Sequence, residues 1–166
     1  MQEEIFDVVN ERDEVVDHRP RSEVHRLGLR HRAVHVLIFN ARGEVFLQQR
    51  SPSKDREPGK WDSSSSGHLD QGEDYDDAAK REVKEELGCE LAEPPRSLFK
   101  LPATEETDQE FVWVYRASGE GPFHLHPEEI SAGRWVTPEE LDRWLAQRPG
   151  EFASAFRWLW PRVRGT

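Results

Sequence analysis

The segment from Asp74 to Leu87, DYDDAAKREVKEEL, constrains the chain most, because its apolar and charged residues separate only on a helix. At about 100° per residue, Ala79, Val83 and Leu87 fall one turn apart and make an apolar stripe. Glu82, Glu85 and Glu86 share the neighbouring face, and Lys80 and Lys84 fall on the far side. Glu73, Asp74, Asp76 and Asp77 crowd the first turn, where the helix dipole favours anions. Gly88 supplies a C-terminal stop. Such a helix needs an apolar surface to lie on. The β-branched run 33–39, AVHVLIF, predicts a buried strand that offers one.

The rest of the chain supplies further elements. Residues 4–9 and 14–17 flank a polar ERD turn and predict a hairpin, and 20–28 a short helix. Asn40 to Gly43 is a turn, and 44–49 alternates into a second strand. Residues 50–62 read as a loop, after which four serines, 63–66, lead into Gly67. Residues 97–103 and 110–117 predict an antiparallel pair around the EETDQ turn, and 134–136 a short strand. Thr137-Pro138-Glu139-Glu140 combines an N-cap, a proline at the first helical position and a capping-box Glu140, so a helix runs to about Ala146. A last helix over 151–162 places Phe152, Phe156, Leu159 and Trp160 on one face. Strands interleaved with few helices indicate a single α/β or α+β domain over 1–166 with a mixed sheet.

The net charge of −10 argues against sequence-blind binding of nucleic acid. It leaves a small phosphorylated ligand open once divalent cations neutralise the carboxylates. No apolar run reaches membrane-span length and no signal-type segment opens the chain, so a soluble protein without a membrane partner is expected. The single cysteine, Cys89, excludes an internal disulfide framework and suits a reducing cytoplasm. It reads as a small buried hydrophobe rather than a reactive thiol.

Three glutamates in one arc repel one another and call for a cation; Mg²⁺ prefers such oxygen ligands. The alternative is an ordinary solvated acidic face. The wider spacing decides between them. It runs Gly67, five residues, Glu73, seven residues, Arg81-Glu82-Val83, Lys84, Glu85-Glu86, Leu87, Gly88, Cys89. This resembles in full the signature of the Nudix hydrolases, a match expected by chance in about one of 10⁹ windows at average residue usage. The flanks are similar too, with Pro58-Gly59-Lys60-Trp61 on one side and Arg134-Trp135-Val136 before a helix start on the other.

The resemblance implies a Nudix-type α/β/α sandwich with a mixed sheet. It also implies Mg²⁺-dependent hydrolysis, with Mn²⁺ able to substitute, of the pyrophosphate bond in a nucleoside diphosphate derivative. A nucleoside di- or triphosphate is the simplest such substrate. Family members are often dimers, so a homodimer is one expectation. Carried over by position, Glu82 and Glu86 are the main metal ligands with the carbonyl oxygen of Gly67, and Glu85 is an additional ligand or binds a second ion. Glu73 and Arg81 pair to hold the glutamates. The general base is Glu82 or Glu129, with Glu128 beside it as an alternative. Arg50 is the first candidate for phosphate binding, followed by Lys54, Lys60 and Arg32. Trp61 and Phe111 either stack on a base or belong to the core.

Residues 29–61 also resemble isopentenyl diphosphate isomerase, through Arg30-His31-Arg32-Ala33, Leu47-Gln48-Gln49-Arg50 and Pro58-Gly59-Lys60-Trp61. Those isomerases place an acid–base cysteine just before a Gly-His or Ser-His pair. Here Ser66 stands before Gly67-His68, and a hydroxyl is a far poorer proton donor than a thiol. The glutamate helix is also intact. Both departures favour hydrolysis over isomerisation. His31 and His68 read as solvent-exposed or core-satisfied histidines, the other reading being a metal contact as in the isomerases. A non-catalytic nucleotide sensor is a third reading; it predicts a damaged helix or an added DNA-binding domain, and neither is in the sequence.

Overall fold

The computed structural model describes residues 3–166. Strands β1 (Ile5–Val9) and β2 (Val15–Pro20) form the expected hairpin as a separate two-stranded sheet. Helix α1 (Arg21–Leu27) follows. The main sheet has seven strands: β3 (His31–Phe39), β4 (Val45–Arg50), β5 (Trp61–Asp62), β6 (Ser65–His68), β7 (Arg96–Leu101), β8 (Glu110–Ser118) and β9 (Ile130–Val136). Their order is β5-β4-β3-β8-β7, with β6 also on β3 and β9 on β4. β3 and β8 run parallel from His31 opposite Glu110 to Phe39 opposite Ser118, and the other pairings are antiparallel. The sheet is therefore mixed.

Alternation along β3 assigns the two faces. Val34, Val36 and Ile38 pack with Ala78, Ala79, Val83 and Leu87 of α2 (Tyr75–Leu87). Ala33, Leu37 and Phe39 pack with Leu141 of α3 (Pro138–Gln147) and with Phe156, Leu159 and Trp160 of α4 (Ser154–Arg164). The result is an α/β/α sandwich, with the predicted stripe of α2 as one of its two seams. The Asp74 side chain caps α2 by accepting from the Asp77 N–H, and Gly88 ends it in the left-handed region at φ 62°. Thr137 caps α3 in the same way, with Glu140 as the donor.

Four elements differ from the sequence reading. The loop over 50–62 ends in strand β5, because Trp61 and Asp62 pair with Gln49 and Gln48 of β4. The four serines 63–66 are buried, and the last two begin strand β6. Serine has little strand preference, but here its hydroxyls find partners inside: Ser64 Oγ donates to the Phe46 carbonyl and accepts from the Ile38 N–H. β9 starts four residues before Arg134, because its register on β4 extends back to Ile130 opposite Arg50. The last helix is split into a 3₁₀ turn, Pro149–Glu151, and α4, with Phe152 extended between them and bridged to Trp61. No helix among the described residues is long and apolar enough to cross a membrane.

Leu37 is fully buried at the centre of the second seam. Leu37→Ala is expected to cost about 2–5 kcal/mol of stability in urea unfolding; a loss below about 1 kcal/mol would contradict this assignment of the core.

Candidate active site

Helix α2 carries its glutamates to the edge of a cleft of about 1090 Å³. Glu82, Glu85 and Glu86 reach it from α2, Gly67 and His68 from β6, Arg50 from the end of β4, and Glu129 from the loop before β9. Lys54 and Arg81 line it as well. The seam that buries Val83 and Leu87 sets the rotation of α2, and that rotation turns the glutamate face towards β6.

Arg81 ties this corner together. Its Nε and one terminal nitrogen donate to both oxygens of Glu73, at 2.8 and 2.9 Å. The same guanidinium donates to the His68 carbonyl at 3.0 Å, to Glu82 at 2.7 Å and to Glu85 at 3.1 Å. The expected Glu73–Arg81 pair thus forms in bidentate geometry and links loop, strand and helix. Hydrogen bonds to Glu73 are the chief reason the Arg81 guanidinium holds its proton more tightly than usual.

Glu86 is buried, with 6 % of its surface exposed. One oxygen accepts from Ser65 Oγ at 2.8 Å, the Ser66 N–H at 3.0 Å and Gln48 Nε2 at 3.1 Å. All three donors are neutral, and burial still pushes the carboxyl up to about 7. Glu82 is also raised well above the usual carboxylate range, first by burial and then by the charge of Glu86, despite the Arg81 bond. A side chain on Gly67 would overlap the Glu82 carboxyl, so only glycine lets strand and carboxylate come this close. Two buried carboxylates with too little positive charge between them fit a cation-binding corner. Glu85 sits at the rim with 58 % of its side chain exposed.

Across the cleft, Glu129 is ion-paired with Lys54. Burial alone would raise the Glu129 carboxyl, but the Lys54 ammonium brings it below its ordinary range. Arg50 is held by two bonds to the Arg56 carbonyl, at 2.9 and 3.1 Å. Lys60 is a correction to the sequence reading: it donates to the Gly150 carbonyl and lies outside the cleft lining. Arg32 is taken up by Asp13 at 2.7 Å. Trp61 packs edge-on to Trp144, and Phe111 is buried beneath Lys100, so neither faces the cleft. Glu128 is exposed and outside the lining. Cys89 is half-buried against the α2 seam, and burial raises its thiol, as expected of a packing residue.

The sequence reading missed Arg21, Arg56 and Arg157, which bring further positive charge to the cleft from α1, a loop and α4. It also missed Gln48 and Ser65, the donors on Glu86. No local pattern marks any of them. His31 and His68 are neither exposed nor ordinary core residues, because they meet His25 and Glu110 at one point beside the cleft.

A sandwich of this topology, with the Gly67–Cys89 spacing along one wall of a cleft, defines a class of enzymes acting on phosphoric anhydrides. The family model for the NUDIX domain matches residues 29–159, and the chain belongs to the Nudix hydrolases. A Nudix hydrolase of Deinococcus radiodurans is 36 % identical over 140 residues, covering 84 % of this chain and 82 % of the relative. An uncharacterised Nudix hydrolase of Pseudomonas aeruginosa is 37 % identical over 141 residues, covering 82 % and 80 %. A crystal structure from Deinococcus radiodurans superposes with a TM-score of 0.84 at 35 % identity, over 96 % of this chain and 98 % of the other. A MutT protein from Methanosarcina mazei gives a TM-score of 0.66 at 26 % identity, over 78 % and 89 %.

The raised Glu86 carboxyl has a thermodynamic consequence. The unfolded chain releases this proton near 4.5 and the folded chain near 7, so cation-free stability falls as pH rises through that window and levels off above it. Glu86→Gln is expected to flatten this part of the pH profile of thermal unfolding; an unchanged profile would contradict the burial argument.

Proposed function

We propose that the chain is a Mg²⁺-dependent pyrophosphohydrolase acting on a nucleoside diphosphate derivative, a nucleoside di- or triphosphate being the first candidate. The buried pair Glu82 and Glu86 carries this reading. An under-compensated buried carboxylate is costly, and a divalent cation supplies the missing charge. Glu82, Glu86 and the Gly67 carbonyl would hold it, with Glu85 joining from the rim. These all-oxygen ligands suit Mg²⁺, and Mn²⁺ accepts the same set. When bound, the cation neutralises phosphate charge and acidifies a water.

The chain's own residues do the rest. Glu73 fixes Arg81, and Arg81 in turn orients Glu82 and Glu85. Arg50 and Lys54, with the newly found Arg21, Arg56 and Arg157, meet the phosphates of the substrate. A phosphate that draws Lys54 towards itself frees Glu129, which is ionised and faces the cleft. Glu129 then accepts the proton of the water that attacks phosphorus in line. Glu82, the other candidate base, stays a ligand. Ser66 lines the cleft where the isomerases carry their cysteine, which supports hydrolysis over alkene protonation.

Hydrolysis of a panel of nucleoside di- and triphosphates and nucleotide sugars, with products separated, tests the reading. At least one member should be cleaved between phosphates with Mg²⁺ or Mn²⁺ present; cleavage that persists in excess chelator would contradict the metal assignment. Glu86→Gln should lower turnover at least about 100-fold, more than the loss of a group that merely supports metal ligands. Its circular dichroism should match the parent. Near-parental turnover would remove Glu86 from the ligand set.

A further inference from the structure

We propose that the N-terminal hairpin is a working part of the glutamate corner, with Asp7 as a positioning residue: it holds the turn 70–73 in place and, through that turn, the Glu73–Arg81 pair. The inference rests on the Mg²⁺ reading of the corner and adds to it a residue outside the cleft.

The turn lies between β6 and α2. The Glu73 N–H donates to the Asp70 carbonyl at 3.0 Å, and Glu73 Oε1 accepts from the Asp70 N–H at 3.1 Å. Gly72 sits at φ 78°, in the left-handed region, where glycine reverses the chain without strain. The Glu73 carboxylate that closes this turn is the one that accepts from Arg81 through both oxygens. Its direction is therefore the direction of the turn.

The hairpin supports the turn from outside. The Gln71 N–H donates to the Ile5 carbonyl at 3.0 Å, and the Gly72 N–H to Asp7 Oδ2 at 3.0 Å. Both amides at the tip of the turn are thus bonded to β1. Asp7 is buried, at 4 % exposure, between the buried Phe6 and Val8. A buried carboxylate is costly, and an apolar residue would serve the hairpin alone at less cost. The two oxygens of Asp7 have separate tasks. Oδ1 meets His18 Nδ1 at 2.7 Å, directly across the hairpin, and Oδ2 takes the Gly72 amide. One carboxylate joins both strands of the hairpin to the turn.

A second anchor lies on the other side of Glu73. Asp13, in the bend of the hairpin at φ 62°, has its side chain only 6 % exposed. Its carboxylate accepts from the Tyr75 hydroxyl at 2.6 Å and Arg32 Nε at 2.7 Å, and it pairs with Lys100. Tyr75 is the first residue of α2. The hairpin therefore grips the chain at 71–72 and again at 75, with Glu73 between. A turn released from Asp7 carries Glu73 with it. Arg81 then loses its bidentate partner, and Glu82 and Glu85 lose the guanidinium that orients them.

Mn²⁺ binding, read from the electron paramagnetic resonance of the free ion, tests this at a temperature where each variant is folded by circular dichroism. The ion that the parent chain binds and Glu86→Gln does not is the ion of the corner. Asp7→Ala should weaken its binding at least about tenfold, the lower end for loss of a group that supports metal ligands. Asp7→Asn keeps an oxygen for the Gly72 N–H and should recover most of that affinity. A merely structural role would lower the unfolding temperature and leave the Mn²⁺ affinity of the folded chain unchanged. In the parent chain the Gln71 and Gly72 amides should exchange at least about tenfold more slowly than those of an unbonded loop, and this decides the case if Asp7→Ala fails to fold. Parental Mn²⁺ affinity in Asp7→Ala, equal losses in Asp7→Ala and Asp7→Asn, or unprotected amides in the parent would overturn the positioning role and leave the Mg²⁺ reading standing. Mn²⁺ binding that Glu86→Gln leaves unaltered would overturn both.

Discussion

Arg81 directs one planar guanidinium at Glu73, at Glu82 and Glu85 of its own helix, and at the carbonyl of His68. Much of the corner depends on this fork, because it joins the loop before α2 to β6 at the point where α2 presents its acidic face. A lysine could supply the charge but not the bidentate grip on Glu73. The fork compensates Glu82 and Glu85 but leaves Glu86 to neutral donors. The corner is thus assembled in the folded chain with a deficit of positive charge, and that deficit makes it a place for a divalent ion.

The cleft is lined by more carboxylates than cations, as the chain's overall charge would suggest, but the cations in it are grouped. The protein as a whole carries −10, yet Arg21, Arg50, Lys54, Arg56 and Arg157 converge on one cleft. Cations set across from carboxylates suit a ligand that is itself anionic and arrives with metal. Before it arrives, the charges hold one another: Lys54 on Glu129, Arg21 on Asp55, Arg50 on the Arg56 carbonyl. A phosphate group competes for cations already held in place, so the ordering cost of binding is partly met in the free protein.

The sequence showed the fold best where one local period decides it. The stripe Ala79-Val83-Leu87, the stop at Gly88, the cap at Thr137 and the run 33–39 each appear in the structure as read. The serines 63–66 did not, because their burial depends on partners such as Phe46, Ile38 and Glu86 that lie far away along the chain. The glutamates and Arg81 were legible through fixed spacing on one helix. Arg21, Arg56 and Arg157 were not, since separate elements bring them together only in three dimensions. Lys60 misled for the converse reason: it sits beside a motif in sequence, but its ammonium points to Gly150. The pairing of His31 with Glu110 depends on the β3–β8 register, across a sequence separation of 79 residues that no periodicity spans.

The central claim is that Glu86 is a carboxylate awaiting a cation. The most direct measurement is the titration of its side-chain carboxyl by ¹³C NMR, with and without Mg²⁺. The account predicts a midpoint near 7 in the cation-free protein and a fall by more than one unit when Mg²⁺ is added, because the ion favours the charged form. A midpoint that Mg²⁺ leaves unmoved would contradict it.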